Sequence, residues 1–341
     1  MTRVAVNGFG RIGRSLVRAA LGRPDMVEIV AVNDTNDAET LAYLLEHDTV
    51  HGPLATPPEL ADGHLKVGPL VLALSHEPDP RRLDWDELEV DVVIESTGRF
   101  TMADDAARHV TAGARRAVIS APSTGADLTV CMGVNHDRFD PARHVVVSNA
   151  SCTTNCLAAM VSVLHERFGI VDGFVSTVHA YTNDQNLLDL PYRGHTRDLR
   201  RSRAAAQNIV PSTTGAARAI GEVLPDLAGR LDGMAFRVPV ACGSVTDLVC
   251  TLERPTDRDE VNETFVAAAA QPRFRGILAV TQAPLVSADI VGKPQSCIVS
   301  ACDTMVHGTR VKVLGWYDNE WGYAHRLLEV AALVGGGGAG G

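Results

Sequence analysis

Val4-Ala5-Val6-Asn7-Gly8-Phe9-Gly10-Arg11-Ile12-Gly13 reads as an apolar strand, a glycine-spaced turn and the start of a helix, Ile12 to Leu21. Gly8 allows the tight turn, Gly10 lets the backbone approach a pyrophosphate, and Gly13 brings helix and strand close. The pyrophosphate would rest on the helix N-terminus. A second strand, Glu28 to Asn33, ends at Asp34, 21 positions after Gly13. A carboxylate there hydrogen-bonds a ribose diol and repels a 2′-phosphate, which selects NAD over NADP.

Short apolar runs alternate with amphipathic stretches through the first half, the pattern of βαβ units and a parallel sheet. Val92 to Ser96, Ala117 to Ser120 and Val145 to Ser148 each end in small or polar residues, where ligands of open α/β sheets sit. Near residue 152 the rhythm changes. Cys152 to Phe168 reads as one helix stopped by Gly169. Phe174 to His179, Met234 to Val240, Ser244 to Leu252 and Thr309 to Trp316 read as strands of an antiparallel or mixed sheet. Arg218 to Val223 and Arg258 to Ala270 read as helices between them, and a last helix runs from about Gly322 to Val334. The expected class is α/β, a Rossmann-type parallel-sheet domain plus an α+β catalytic domain. Gly335 to Gly341, six glycines and an alanine, reads as a disordered tail.

The 341 residues suggest two domains, and 45% hydrophobic with 21% charged residues is ordinary globular composition. A net charge of −10 argues against a broad nucleic-acid surface. No apolar run approaches a membrane span. The N-terminus passes straight into a strand, so no signal peptide is expected. Seven cysteines without a Cys-x-x-Cys pair suit free thiols in a reducing cytoplasm, with no disulfide framework and no metal site. The polar stretch from Asn183 to Arg203 carries Arg193, Arg197, Arg200, Arg201 and Arg203, offset by Asp184, Asp189 and Asp198. A loop of that length inside a domain usually has a function.

Cys152 lies within Ser148-Asn149-Ala150-Ser151-Cys152-Thr153-Thr154-Asn155-Cys156, in the first turn of its helix. Backbone N–H groups and the helix dipole favour a thiolate there. Ser151 and Thr153 add hydroxyls for an anion site, and Cys156, one turn on, is expected to pack inside. The base would be His179, at the end of an apolar strand.

These residues resemble phosphorylating glyceraldehyde-3-phosphate dehydrogenases. The resemblance runs from Asn7–Arg14 through Ser148–Cys156 and Val178–Thr182 to Trp316-Tyr-Asp-Asn-Glu-Trp-Gly-Tyr323. It implies an NAD-binding domain of residues 1–151, completed by the C-terminal helix 317–334, and a catalytic domain of 152–316. It implies NAD as cofactor, glyceraldehyde 3-phosphate and inorganic phosphate as substrates, and a cytoplasmic homotetramer whose 183–206 segment approaches a neighbouring cofactor site. Cys152 becomes the nucleophile, and His179 the base that forms an ion pair with it. Thr182 and Arg237 would hold the substrate's phosphate; Ser151, Thr153, Arg201, Thr214 and Gly215 would hold inorganic phosphate. Asn319 would hold the nicotinamide carboxamide with Tyr323 nearby. Gly8, Phe9, Gly10, Arg11, Ile12, Gly13, Asp34, Thr97, Gly98 and Ser120 would line the cofactor groove. Leu190-Pro191 matches the NAD-using form.

Four departures stand out. Cys242-Gly243-Ser244-Val245 replaces the family's Asn-Val-Ser-Val, and Glu77-Pro78-Asp79-Pro80 replaces Glu-Arg-Asp-Pro. His47-Asp48-Thr49 replaces Tyr-Asp-Ser, and Ala324-His325 replaces Ser-Asn. All are expected to leave the thiol, the base and Asn319 untouched, with Cys242 and Gly243 altering the pocket around Cys152 as in an inhibitor-insensitive isozyme. The alternative on the same scaffold is an erythrose-4-phosphate dehydrogenase whose thioester is hydrolysed. A different class would use the thiol as a redox sensor or the arginine loop as an RNA contact.

Overall fold

The computed structural model describes residues 1–192 and 198–336, so Arg193, Arg197 and the tail from residue 337 lie outside the described residues. The chain forms two compact units, Met1–Ser151 together with the segment from Tyr323 onward, and Cys152–Gly322.

In the first unit β1 (Arg3–Asn7), β2 (Glu28–Asn33), β3 (Glu59–Ala61), β4 (His64–Val67) and β5 (Leu70–Ser75) are followed by β6 (Val92–Glu95), β7 (Arg116–Ile119), β8 (Leu128–Thr129) and β9 (Val146–Ser148). They form one sheet in the order β3-β4-β5-β2-β1-β6-β7-β9-β8. Pairing is parallel from β5 to β8. Val4, Ala5, Val6, Val92, Val93 and Ile94 are fully buried, as expected of parallel strands covered on both faces. Helices α1 (Arg11–Leu21), α2 (Ala38–Glu46) and α3 (Ala103–Thr111) follow β1, β2 and β6. The sheet runs one way from β1 to β2 and the other way from β1 to β6, so the glycine turn lies at the topological switch point. Gly8 N–H donates to Asn33 O (2.8 Å) and Ser96 N–H to Asn7 O (2.7 Å), tying the three strand ends together.

The edge departs from the expected parallel sheet, because β3, β4 and β5 pair antiparallel. Asp62 and Gly63 join β3 to β4 with φ of 52° and 75°, the left-handed pair that a tight hairpin requires. The C-terminal helix, Trp321–Val334, returns to this unit. There Arg23 Nη1 meets Glu329 Oε1 at 2.9 Å, and Arg116 Nη1 donates to Val334 O at 2.8 Å.

The second unit opens with α4 (Cys152–Phe168), whose middle is buried all round. Its sheet comprises β10 (Ile170–Ala180), β11 (Val210–Thr213), β12 (Leu231–Val238), β13 (Ser244–Leu252), β14 (Leu278–Thr281), β15 (Cys297–Ser300), β16 (Met305–His307) and β17 (Arg310–Tyr317). The order is β11-β12-β10-β13-β17-β15-β14, with β16 on β17. β10–β12 and β14–β15 are parallel and the other pairs antiparallel, a mixed sheet as expected. Helices α5 (Ala216–Val223) and α6 (Arg258–Ala269) pack with α4, and a short α7 (Ser287–Ile290) lies against β13 and β17. Phe174, Val178, Met234 and Val249 stay exposed, with Phe174 at 72%. Among the described residues no helix is long and apolar enough to cross a membrane.

A Cβ on Gly13 would lie 2.2 Å from Gly8 O, whereas one on Gly10 would meet nothing within 4 Å. Gly13→Ala is therefore expected to destabilise the first unit by about 1–3 kcal/mol, the usual scale of overpacking. Gly10→Ala should leave its urea midpoint unchanged. Coincident midpoints for the two variants would contradict this account of Gly13.

Candidate active site

Gly8, Gly10, Asn33, Asp34, Ser96 and Thr97 line a cleft at the carboxyl ends of β1, β2 and β6. The Asp34 carboxylate is fixed by Phe9 N–H (2.7 Å) and by the backbone and side-chain nitrogens of Asn36 (3.0 and 2.7 Å). The N-terminus of α1 carries no side-chain cap and no acidic residue in its first turn. With open space at Gly10, these features fit a pyrophosphate on the helix and a ribose at Asp34.

Other expected groove residues make contacts within the protein. The Phe9 ring is core, 1% exposed, and only its backbone serves Asp34. Gly13 packs on Gly8, and Ile12 follows Arg11 in the first turn of α1. Arg11 forms a two-pronged pair with Asp48. Burial alone would raise the Asp48 carboxyl, but Arg11 and the N–H groups of His51 and Val50 hold it down at about 2. Gly98 (φ 70°) follows Thr97, and Ser120, just past β7, donates its N–H to Glu95 O at 3.0 Å. Pro78, where the family has arginine, lines the cleft without a donor.

Beneath Thr97 lies a network that the sequence reading missed. Glu95 is buried and accepts from Thr97 N (2.8 Å), the Thr97 hydroxyl and Asn7 Nδ2 (2.6 Å), with His109 Nε2 at 3.0 Å. Trp85 Nε1–H donates to His109 Nδ1 at 3.1 Å, so the His109 hydrogen sits on Nε2 and points at Glu95. A lone glutamate closing the apolar run Val92-Val93-Ile94 was the available signal.

The nucleophile segment starts from a tight turn. Ala150 is buried with φ 52°, a left-handed conformation rare for a non-glycine residue. Its N–H donates to Ser148 Oγ (3.0 Å), and its carbonyl accepts the Tyr323 hydroxyl (2.9 Å). Tyr323, expected near the nicotinamide, thus has its hydroxyl on the backbone leading to Ser151 and Cys152. Cys152 is the first residue of α4, and its Sγ lies 3.5 Å from His179 Nε2.

Parallel pairing of β10 with β12 puts His179 opposite Arg237. His179 Nδ1 lies 2.6 Å from Ala180 O and 2.9 Å from Arg237 Nη1. For Nε2 to accept from the thiol, Nδ1 must carry hydrogen and donate to Ala180 O. The arginine contact is then one of charge. Burial pushes the Cys152 thiol up to about 11, against the pull of Arg237 and Thr153. Burial, with Arg237 adding to it, pushes the His179 imidazole down to about 3. The expected resting ion pair is therefore opposed by burial of both partners, which favours the neutral thiol and imidazole. Thr153 is not a free anion ligand either. Its hydroxyl lies 2.8 Å from Tyr317 Oη, which also reaches Thr177 Oγ1 at 2.9 Å. Cys156 is fully buried, as expected.

Thr182, Arg201 and Arg237 converge. Arg237 Nη1 donates to Ala180 O at 3.2 Å and to Thr182 Oγ1 at 3.3 Å. Asp184, absent from the expected set, accepts from Thr182 and lies 2.5 Å from Arg201 Nη1. Thr214 and Gly215 stand at the start of α5, where Gly215 is the uncapped, exposed N-cap and Thr214 Oγ1 accepts Ala216 N–H at 3.2 Å.

Asn319 Oδ1 accepts Gly243 N–H (3.2 Å) and Ser244 Oγ–H (2.9 Å). This corrects the expectation that the departures leave Asn319 untouched. Cys242 turns its Sγ to Asp318 Oδ1 at 3.0 Å. Gly243 has φ 92°, and a Cβ there would lie 2.3 Å from Ser287 O, so the family's valine does not fit this backbone.

Residues 2–103 match the family model described as glyceraldehyde 3-phosphate dehydrogenase, NAD binding domain, and residues 151–319 match its C-terminal domain. Glyceraldehyde-3-phosphate dehydrogenase 2 of Streptomyces arenae is 53% identical over 333 residues, covering 98% of each chain. The dehydrogenase of Geobacillus stearothermophilus is also 53% identical, over 97% of this chain and 98% of its own. Glyceraldehyde-3-phosphate dehydrogenase 1 of Bacillus subtilis is 49% identical over the same shares. With both domain models matched and half of the residues shared along nearly the whole length, this chain belongs to the glyceraldehyde-3-phosphate dehydrogenase family.

Proposed function

We infer that the protein oxidises glyceraldehyde 3-phosphate with NAD and inorganic phosphate, giving 1,3-bisphosphoglycerate. The observation that carries this is the 3.5 Å approach of Cys152 Sγ to His179 Nε2 beside a cationic cluster of Arg237 and Arg201. We read the first unit as the NAD-binding domain and the second as the catalytic domain.

As Sγ attacks the aldehyde carbon, its proton passes to Nε2 and on to the new oxyanion, leaving a neutral hemithioacetal. Ala180 O keeps the Nδ1–H of His179 engaged throughout, so Nε2 is free to act as base. His179 then takes the hemithioacetal hydroxyl proton while the carbon releases hydride. NAD, when bound, would supply the hydride acceptor, and Asn319 would hold its carboxamide. Phosphate attacks the resulting thioester and frees Cys152 as the leaving thiolate. Thr182 and Arg237 would hold the substrate's phosphate, with Asp184 keeping Arg201 and Thr182 in place. Ser151, Thr214 and Gly215 would receive inorganic phosphate, with Thr153 steadying the sulfur.

We also read the protein as a cytoplasmic homotetramer. The apolar outer face of the second sheet, with Phe174, Val178, Met234 and Val249, supports burial against another copy. Light scattering of the purified protein should give about four chain masses; a monomer at micromolar concentration would count against it.

The function is tested by NADH absorbance from glyceraldehyde 3-phosphate with and without phosphate, and with NADP in place of NAD. Sustained turnover should need both phosphate and NAD; phosphate-independent formation of the acid would reject the proposal. Cys152→Ala should abolish turnover. His179→Asn should reduce kcat about 10²–10⁴-fold, the scale of a lost general base.

The pH dependence has a definite sign. Arg237 favours loss of a proton from both Cys152 and His179, so removing its charge raises the apparent pKa values of the pair. Arg237→Leu should move the pH profile of iodoacetamide alkylation to higher pH. An unmoved profile, with a neutral reagent that needs no anion site, would show that Arg237 does not act on the pair.

A further inference from the structure

The hydrogen bonds around Asn319 fix more than its position. Gly243 N–H can only donate, at 3.2 Å from the Asn319 side-chain oxygen. Ser244 is fully buried, and its Oγ already accepts the Ala180 N–H at 3.1 Å. Its single hydroxyl hydrogen is therefore free for Asn319, 2.9 Å away. Two donors thus meet one end of the Asn319 amide. That end must be oxygen, and the nitrogen must point the other way. Among the described residues, no hydrogen-bond partner takes up this Nδ2.

The same hydroxyl reaches the catalytic strand. Ala180, whose N–H it accepts, is the residue whose carbonyl lies 2.6 Å from His179 Nδ1. Ser244 therefore joins the end of β10 that carries the base to the amide beside Asp318. We propose that Ser244 is a positioning residue: it locks the Asn319 amide with oxygen inward, so that the site offers N–H donors and recognises the carbonyl oxygen of the cofactor's carboxamide rather than its NH₂ group. This rests on the reading that Asn319 meets the nicotinamide.

Calorimetric titration tests it with NAD, with ADP-ribose (which lacks the nicotinamide) and with 3-acetylpyridine adenine dinucleotide, which keeps the carbonyl but has no NH₂. Wild-type protein should bind NAD and the acetyl analogue within about threefold of each other, since the analogue loses no recognised hydrogen bond. Ser244→Ala should weaken NAD about three- to tenfold, the scale of one hydrogen bond, and leave ADP-ribose unchanged. Asn319→Asp keeps an acceptor for Gly243 and Ser244 but turns a second acceptor outward. It should shift the NAD-to-analogue affinity ratio about three- to tenfold toward NAD, because only NAD can offer an N–H in return. This ratio remains readable should Ser244→Ala fail to fold. An unchanged ratio in Asn319→Asp, or equal losses of NAD and ADP-ribose in Ser244→Ala, would overturn the proposal. Wild-type protein that binds ADP-ribose as tightly as NAD would instead overturn the nicotinamide reading of Asn319, and failure to bind either would overturn the dinucleotide reading of the first unit.

Discussion

The bond between His179 Nδ1–H and Ala180 O decides whether the second unit can do chemistry. It commits one ring nitrogen to the backbone and leaves the other with a lone pair 3.5 Å from the Cys152 sulfur. The parallel register of β10 on β12 then adds a guanidinium 2.9 Å behind the committed nitrogen. That positive charge makes the imidazole a weaker base and the thiol a stronger acid, while burial acts on both groups against charge. The balance suits a pair that handles one proton between them and exposes neither charge for long.

A second consequence of burial appears in the cationic cluster. Arg201 and Arg237 repel each other's charge, and Asp184 between them offsets the repulsion. Its carboxyl is itself held below the ordinary range: burial would raise it, and the Thr182 hydroxyl and both arginines outweigh that. The cluster keeps its geometry because an internal carboxylate engages Arg201 and Thr182, and Thr182 in turn meets Arg237.

Legibility followed sequence distance. The strand, glycine turn and first helix could be read because every part lies between Arg3 and Leu21, and α4 because its apolar run starts and stops on clear signals. The hairpin of β3 to β5 also had a local signal in Asp62-Gly63, but the expectation of βαβ alternation covered it. Other features have no local trace. Asp184 meets Arg201 from 17 positions away, and Tyr317 reaches Thr153 from 164. Cys242 finds Asp318 across 76 residues, so its link to the residue beside Asn319 could not be read from the sequence. The opposition of burial to a thiolate at Cys152 leaves no sequence trace for a related reason. A helix start is visible in the sequence, whereas the depth at which it is buried is not.

Ala150 shows what the nucleophile's approach demands of the backbone. An L-residue held in the left-handed region costs roughly 1–3 kcal/mol, and glycine would sit there without penalty. Glycine would also bring many more accessible backbone states to the residue two places before Cys152. Retaining a methyl group there exchanges some thermodynamic comfort for a narrow distribution of sulfur positions, anchored at its rear by the phenol of Tyr323. A search for hardier variants that relaxed this peptide would gain heat tolerance while blurring the aim of the attacking atom.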